Sequence, residues 1–590
     1  MLKKNGKRYT NSIEITNEIN KNLLILPQNL KKNIKVNETK TKIIKKIMLN
    51  SMNNLKTASG NIKYKDIISY EKILEIIKKL NPKKAFGFDE IDQKMFINAP
   101  KISSLYLNCL FRKILQLNKM PNLLNTSKVI PIPKTLGDEL EVNQIRPIAL
   151  LSVVSKILEK LILTKLEKII YKNNILSKNQ TGFIRNKSTL NNIIKTHDKI
   201  FNGLKNKTNM IIASIDLTKA YDTIDRNYLL QILEKLGIDG IIKNYLLMFL
   251  KNRKQLVHYN NTYSQVEKSV YGLPQGSCIS PILFNIYLNV ILIHFKKSMD
   301  IRAFADDLII YFENQNINKM KKIIELKLNN LNDYMNSINL HISFQKSKLM
   351  HVTNLKKTNT PTIKIANNQI NYADEFKYLG IIFDKRLKFD SHLKSVLSRV
   401  KKKLGILQYL NSKIKGAKKE YLLTIYKSFI RPVMEYGYPI LGNITKSRVK
   451  RLESFQHTAL CRILNINIKT SYLCILSSIN MLNMSNRYVY LMIKLLNKKM
   501  LSKKDYTRIN YEPFYKKFNT NSYIKTIMTY LTEKNKISEY KNPNNLKKCI
   551  INYQFEKFSV NNQMYNENTK FSIEVIKYFN KKKIKTYGTL

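Results

Sequence analysis

Tryptophan is absent from this 590-residue chain, glycine (16) and proline (14) are sparse, and acidic residues are few: 41 Asp+Glu against 103 Lys+Arg, a net charge of +62. No internal repeat and no Gly/Ser linker occurs. The five cysteines (Cys109, Cys278, Cys461, Cys474, Cys549) are far apart and form no C-x-x-C pair. That spacing excludes a disulfide framework or zinc knuckle and suits a reducing compartment. Long apolar runs are missing too. The longest, Pro281 to Phe295, is interrupted by Asn285, Asn289 and His294 and is too short to span a bilayer. Met1-Leu-Lys-Lys-Asn5 lacks the apolar core of a secretory signal, so a soluble intracellular protein with no membrane partner is expected.

What is present is apolar content of 44%, enough for cores of three or four units at roughly 150 residues each. The basic excess suits a polyanion, because each neutralised phosphate releases counterions. A composition rich in Lys, Asn, Ile and Tyr also follows from A+T-biased coding, so charge alone does not assign nucleic acid.

Residues 1 to about 70 are Lys/Asn-rich with weak helical periodicity. Met210 to Asp216 is a β-branched run, and a helical pattern follows from about Asp225 to Leu236. From about 385 to 500 the pattern is mostly helical, with i, i+3, i+4 apolar spacing in Leu393–Leu410 and Tyr421–Phe429. The last 90 residues show no assignable module.

The sharpest local signal is Ile301-Arg-Ala-Phe-Ala-Asp306-Asp307-Leu-Ile-Ile-Tyr-Phe312. Two β-favouring runs flank a tight turn carrying adjacent acids, which predicts a buried hairpin with carboxylates at its tip. Aspartates are common in turns for local hydrogen bonding, but two carboxylates beside a core repel unless a cation sits there. A third acid, Asp216, ends the apolar strand Ile211-Ile-Ala-Ser-Ile215. Three such oxygens suit paired Mg²⁺ ions, which bind through a few carboxylates plus substrate phosphates and promote phosphoryl transfer. Between these acids lies Tyr271-Gly-Leu-Pro-Gln275-Gly276-Ser277, a turn before a strongly apolar helix. Gly276 permits close backbone approach there, and Gln275 can both donate and accept. By itself this turn reads better as an ordinary loop-to-helix junction.

Taken in order, the strand-end Asp216, the Pro-Gln-Gly-Ser loop and the Phe-Ala-Asp-Asp hairpin resemble the reverse transcriptase of non-LTR (LINE-type) retrotransposons, of the jockey or chicken-repeat sort. Further blocks match in sequence order from about 75 to 470. Asn81-Pro-Lys-Lys-Ala-Phe-Gly87-Phe-Asp89 is similar to a Lys-Ala-Pro-Gly-Pro-Asp-Gly block, departing at Phe86, Phe88 and Glu90. Val129-Ile-Pro-Ile-Pro133-Lys134 with Ile145-Arg146-Pro147 through Lys160 resembles the fingers motif. Gln180-Thr-Gly182-Phe183 matches the next block, with Thr181 where an aromatic is usual. Leu340 to Ser347 resembles a Leu-x-x-Asn-x-x-Lys-Thr motif with Ser343 in place of Asn. Phe376-Lys-Tyr378-Leu379-Gly380 resembles the primer grip, and Tyr426 to Gly437 the helical part behind it.

The resemblance implies an α+β right-hand polymerase. Residues 1–74 would be a basic extension, 75–385 fingers and palm with an antiparallel sheet, 386–470 a helical thumb, and 471–590 a mostly helical region of unassigned role. It implies catalytic acids Asp216, Asp306 and Asp307, metal ligands at these three with the Leu217 carbonyl, and two Mg²⁺ ions with Mn²⁺ as a substitute. Lys134 and Arg146 would grip the triphosphate, the Arg146 fork suiting phosphate. Tyr221 would be the steric gate against a ribose 2′-hydroxyl, Gln275 and Gly276 would lie at the nucleotide sugar, and Lys346 would protonate the leaving pyrophosphate. Bland readings stand beside these: Tyr221 as core packing, Lys134 and Lys346 as solvated, and Asp222 as a cap of the following helix. Implied partners are an element RNA template, a DNA primer end and deoxynucleoside triphosphates, with action in the nucleus after cytoplasmic synthesis.

Complete elements of this type usually carry an endonuclease. About 70 residues ahead of the first polymerase block are too few for one, and no Cys/His cluster accompanies the tail, so the polymerase portion alone is expected. A group II intron maturase and a catalytically dead RNA-binding relic are the rival readings. A viral RNA-directed RNA polymerase fits less well, since such enzymes usually carry Gly-Asp-Asp on the hairpin and an acid where Tyr221 stands.

Overall fold

The computed structural model describes residues 2–501, apart from 5–6, 33–36, 54, 56–62, 135–139, 207, 354–359, 412–415 and 442–443. Most of the C-terminal region expected at 471–590, with Cys549, therefore lies outside the described residues. Helices and mixed sheets coexist in an α+β architecture. The chain divides into two compact units: residues 1–192 with 206–374, and residues 193–205 with 375–590.

The first unit holds two five-stranded sheets. One is built on Thr126–Pro133, antiparallel to Ile145–Leu150 and parallel to Lys254–Tyr259, with the short strands Thr262–Tyr263 and Glu267–Lys268 beyond. Proline cannot donate to a ladder. Pro131 and Pro133 sit past the four parallel pairs Thr126↔Lys254 to Val129↔Val257, where the strand has a neighbour on one side only. The N-terminal segment, which shows little pattern in the sequence, covers this sheet. Leu2, Ile15 and Ile19 bury themselves with Val129, Val142, Ile145 and Val257, and the Asn20 amide donates to the Gln265 carbonyl.

The second sheet runs in the order Asp300–Phe304, Asp307–Asn314, Asn209–Ile215, Lys348–Val352, Asn371–Tyr372. Its central strand is antiparallel to both long neighbours, with Leu308↔Ile215 and Lys348↔Ser214 in register at its end. Met210 to Ala213 are all buried, as a β-branched run covered on both faces requires. The helix Ser280–His294 is buried through most of its length, from Ser280 to Leu292 apart from the half-buried Pro281. Its two internal asparagines are satisfied inside: Asn285 donates to the Gly182 carbonyl at 2.7 Å and Asn289 to the Ile175 carbonyl at 2.8 Å. The helix Arg226–Lys235 is capped by Asp225, whose carboxylate accepts from the Asn227 and Tyr228 amides.

The described residues of the second unit are the helical stretch 193–205, the hairpin Glu375–Tyr378/Ile381–Asp384 and the helices that follow it. Leu379 and Gly380 both take positive φ (47° and 85°), the demand of a two-residue primed turn. The helix Asp390–Leu410 matches the expected apolar spacing over 393–410. The expected helix over 421–429 is present, but it changes to a π-turn over Tyr426–Ile430 before Arg431-Pro432. Pro432 has no amide to continue an α-ladder, which accounts for the local widening. No described helix is long and apolar enough to cross a membrane, and the four described cysteines are free.

Candidate active site: an acid-tipped hairpin

The strand Asn209–Ile215 ends where Asp216 begins, because the chain there turns to a new partner. The Asp216 amide donates to the Ser347 hydroxyl (3.1 Å), its carbonyl accepts from the Ser343 amide (2.8 Å), and the Thr218 amide donates to His341 O (2.8 Å). Ser343, standing where an Asn was expected, thus keeps its turn through its backbone alone. These bonds form the Leu217↔Ile342 bridge from residues on either side, so the Leu217 carbonyl is not consumed by it.

Next in the sheet, Phe304 pairs with Asp307, leaving Ala305-Asp306 as a two-residue turn. Ala305 takes φ +55°, the conformation a primed hairpin asks of its first central residue and one that costs a non-glycine residue roughly 1–2 kcal/mol. Because Leu308 pairs with Ile215, the next residues along the two strands are Asp307 and Asp216. The register therefore brings all three acids to one end of the sheet.

Their electrostatics follow from that placement. Partial desolvation, then the Asp306 and Asp216 carboxylates, push the Asp307 carboxyl up to about 6. Burial and Asp216 raise Asp306 as well, while the Arg146 guanidinium pulls it the other way. Crowded carboxylates that resist ionising are what a divalent cation relieves. Among the described residues no three His, Cys, Asp or Glu side chains close around a metal on their own. The donor set is all oxygen, two or three carboxylates and one carbonyl. It fits hard cations whose coordination is completed by water and phosphate oxygens.

Basic side chains face the same region. Lys346 is exposed and its Nζ lies 4.0 Å from Asp216 Oδ2. Arg146 and Ile132 are cross-strand partners, which sets Arg146 close to the start of the Lys134 loop; both basic residues are exposed. Lys219, not singled out from the sequence, shares their field: burial lowers its ammonium, Lys134 and Lys346 add to that, and Asp222 opposes it. Its signal was only its place three residues after Asp216.

Tyr221 lies flat on Phe284, ring centroids 4.5 Å apart and 10° from parallel. Its hydroxyl is buried without a partner, and burial and Asp306 raise its pKa. Gln275 Nε2 donates to Asp222 Oδ1 at 3.0 Å. Asp222 is therefore not the helix cap, a role taken by Asp225; it fixes the Gln275 amide, and burial raises its carboxyl. Gly276 (φ +148°) admits no side chain, since a Cβ would stand 2.1 Å from the Ala149 carbonyl. The Ala149 amide also donates to Gln275 O, tying this loop to the strand that carries Arg146.

Two further groups hold the loop. Fully buried Glu159 accepts from the Ser277 hydroxyl (2.6 Å) and the Cys278 amide (3.0 Å). Burial and that carboxylate push the Cys278 thiol up, which favours its neutral form. Buried Arg226 donates to the carbonyls of Leu250, Ser269, Tyr271 and Gly272. The first sequence block joins too, through the Ser152 hydroxyl to Asp89 at 2.5 Å.

Residues 132–383 match the reverse transcriptase (RNA-dependent DNA polymerase) family. The chain is similar to the probable RNA-directed DNA polymerase from transposon BS of Drosophila melanogaster, 26% identical over 67% of this chain and 44% of that protein. It is similar to that from transposon X-element of the same fly (26%, 65% and 42%). It is also similar to the RNA-directed DNA polymerase from mobile element jockey (24%, 67% and 44%). The matches thus span less than half the length of these relatives. Residues 132–383 thus resemble a reverse transcriptase domain, and the resemblance of the chain is to the polymerases of LINE-type, jockey-like retrotransposons.

Proposed function

We propose that the chain is an RNA-directed DNA polymerase of a non-LTR retrotransposon, extending a primer 3′-hydroxyl with deoxynucleotides along element RNA. The observation that carries this reading is the convergence of Asp216, Asp306 and Asp307 at one sheet end beside Arg146, Lys134, Lys219 and Lys346. The sheet around Asn209–Ile215 serves as the palm, the sheet around Thr126–Pro133 as the fingers, and the helices after 386 as the thumb.

Asp216, Asp306 and Asp307, with the Leu217 carbonyl, would hold divalent ions, Mg²⁺ or in its place Mn²⁺. Bound there, such ions activate the attacking hydroxyl and neutralise phosphate charge. The protein groups do the rest. Arg146 and Lys134 hold the triphosphate, whose α-phosphorus–oxygen bond to pyrophosphate breaks as the new bond to the primer oxygen forms. Lys346, whose Nζ lies 4.0 Å from Asp216, would give the departing pyrophosphate a proton. Tyr221, backed by Phe284, denies space to a 2′-hydroxyl, and Gln275, oriented by Asp222, lies at the sugar. Nicked chromosomal DNA would supply the primer, which puts the site of action in the nucleus.

The test is primer extension on poly(rA)/oligo(dT) with Mg²⁺ and deoxythymidine triphosphate. Wild type should extend, and Tyr221→Ala should gain incorporation of ribonucleotides. A wild type that binds the duplex yet never extends it would make the chain an RNA-binding relic instead.

A further inference from the structure

Among the buried polar groups described in the first unit, Gln180 stands out by what it touches. It is fully buried and 125 residues away in sequence from the turn it touches. Its Oε1 accepts from the Ala305 amide at 3.0 Å, and its Nε2 donates, at a longer 3.4 Å, to the Ala305 carbonyl. Both backbone groups of the one non-glycine residue forced to positive φ in this turn are therefore held by a single side-chain amide. The same Oε1 accepts from the Thr181 and Gly182 amides at 2.9 Å, which fixes the orientation of the glutamine.

The segment carrying Gln180 is itself anchored. It pairs with the hairpin's first strand through the parallel bridge Gln180↔Ala303, with Thr181 N–H to Ala303 O and Ala303 N–H to Asn179 O, each at 3.0 Å. Gly182 has no room for a side chain, since a Cβ would stand 2.3 Å from the Ala305 nitrogen. Its carbonyl accepts from Asn285 of the buried helix, and Lys187 Nζ donates to Gln180 O at 2.9 Å. A chain of contacts thus runs from the buried helix through Gly182 and Gln180 to Ala305, one residue before Asp306.

We propose that Gln180 is a positioning residue for polymerisation: its buried amide clamps the strained Ala305 turn and so fixes the backbone that aims Asp306 at Asp216. This deepens the polymerase reading and rests on it. A hairpin tip free to rock would move the Asp306 carboxylate by a fraction of an ångström to an ångström, and misplacement on that scale costs on the order of 10²-fold in rate. The loss falls on turnover rather than on nucleotide binding, because Arg146, Lys134 and Gln275 belong to other elements.

The full chain carrying Gln180→Met keeps the side-chain length and removes the amide. Its turnover in poly(rA)/oligo(dT) extension should fall about 10²-fold, with the KM for deoxythymidine triphosphate nearly unchanged. Deuterium exchange of the 303–308 backbone, read by mass spectrometry, should accelerate at least tenfold, while peptides of the other sheet keep their protection. Adding Ala305→Gly, which takes positive φ freely, should recover part of the turnover. Unchanged exchange at 303–308 overturns the clamp. So does a loss shared equally by kcat and KM that Ala305→Gly fails to rescue, since that marks general unfolding. If wild type itself never extends, the polymerase reading fails, and the exchange result alone decides whether Gln180 clamps the turn.

Discussion

Two hairpins of this protein solve the same backbone problem in different ways. At the acid tip Ala305 is held at positive φ in a dry setting, with both its N–H and its C=O engaged by Gln180. At the hairpin of the second unit, Leu379 and Gly380 take positive φ, and the Tyr436 hydroxyl donates to Leu379 O at 2.6 Å. Tyr436 is at the surface, where water competes for that bond. A turn that must present charged groups at fixed spacing is gripped from both sides inside the core. A turn whose bond comes from an exposed hydroxyl is open to competition from water.

The largest break in this contrast should come from Gly182→Ala. Its new Cβ would meet the Ala305 backbone, which cannot swing aside as a side chain could. The tip must shift as a whole, so extension should fall by about 10²-fold or more and stability by about 1–3 kcal/mol, read by primer extension and chemical denaturation. Unlike Gln180→Met, this variant should not be rescued by Ala305→Gly, because the clash is with backbone.

A smaller effect tests the crowding of acids at the tip. In the metal-free chain Asp307 takes up its proton near 6, whereas an unfolded aspartate does so near 4. Between these values the folded form binds more protons, so this group adds stability as pH falls from about 6 to about 4 and withdraws it as pH rises again. Melting temperatures in chelator from pH 4 to 7 should therefore show wild type gaining on Asp307→Asn toward the acid end. A constant difference across that range would mean that burial and the neighbouring carboxylates do not hold the Asp307 carboxyl above its unfolded value.

The smallest effect is expected at the second hairpin. Tyr436→Phe removes one exposed hydrogen bond, and thermal unfolding should register no more than about 0.5–1 kcal/mol. A larger loss would show that this turn is held as firmly as the acid tip.

The placement of the three acids was legible in the sequence because it is local: β-branched runs flank adjacent acids, and a strand stops on Asp216. The helix after Asp225 and the apolar Ser280–His294 helix were legible for the same reason, the periodicity of the first and the continuous apolar run of the second being local. What escaped is held together across long sequence separations. Gln180 reaches Ala305 over 125 residues, Glu159 reaches Ser277 over 118, and Asp222 reaches Gln275 over 53. Nothing local distinguishes Asp222 from Asp225 as a helix cap, and only the fold assigns the first to Gln275. The N-terminal helix Ser12–Lys32 was obscured for another reason. Its exposed positions mix Ile13 with Glu14, Lys21 and Gln28, and its buried face interleaves Ile15 and Ile19 with the polar Thr16 and Asn20, which blurs the apolar period.

The central claim is that the hairpin carboxylates perform nucleotidyl transfer rather than merely shape the turn. The most direct measurement is single-turnover extension by Asp306→Asn, which keeps the side-chain shape, on an RNA template at saturating primer and deoxythymidine triphosphate. The account predicts unchanged duplex binding with the rate lower by about 10³-fold or more, several kcal/mol of lost transition-state stabilisation. Extension by Asp306→Asn at close to the wild-type rate would contradict it.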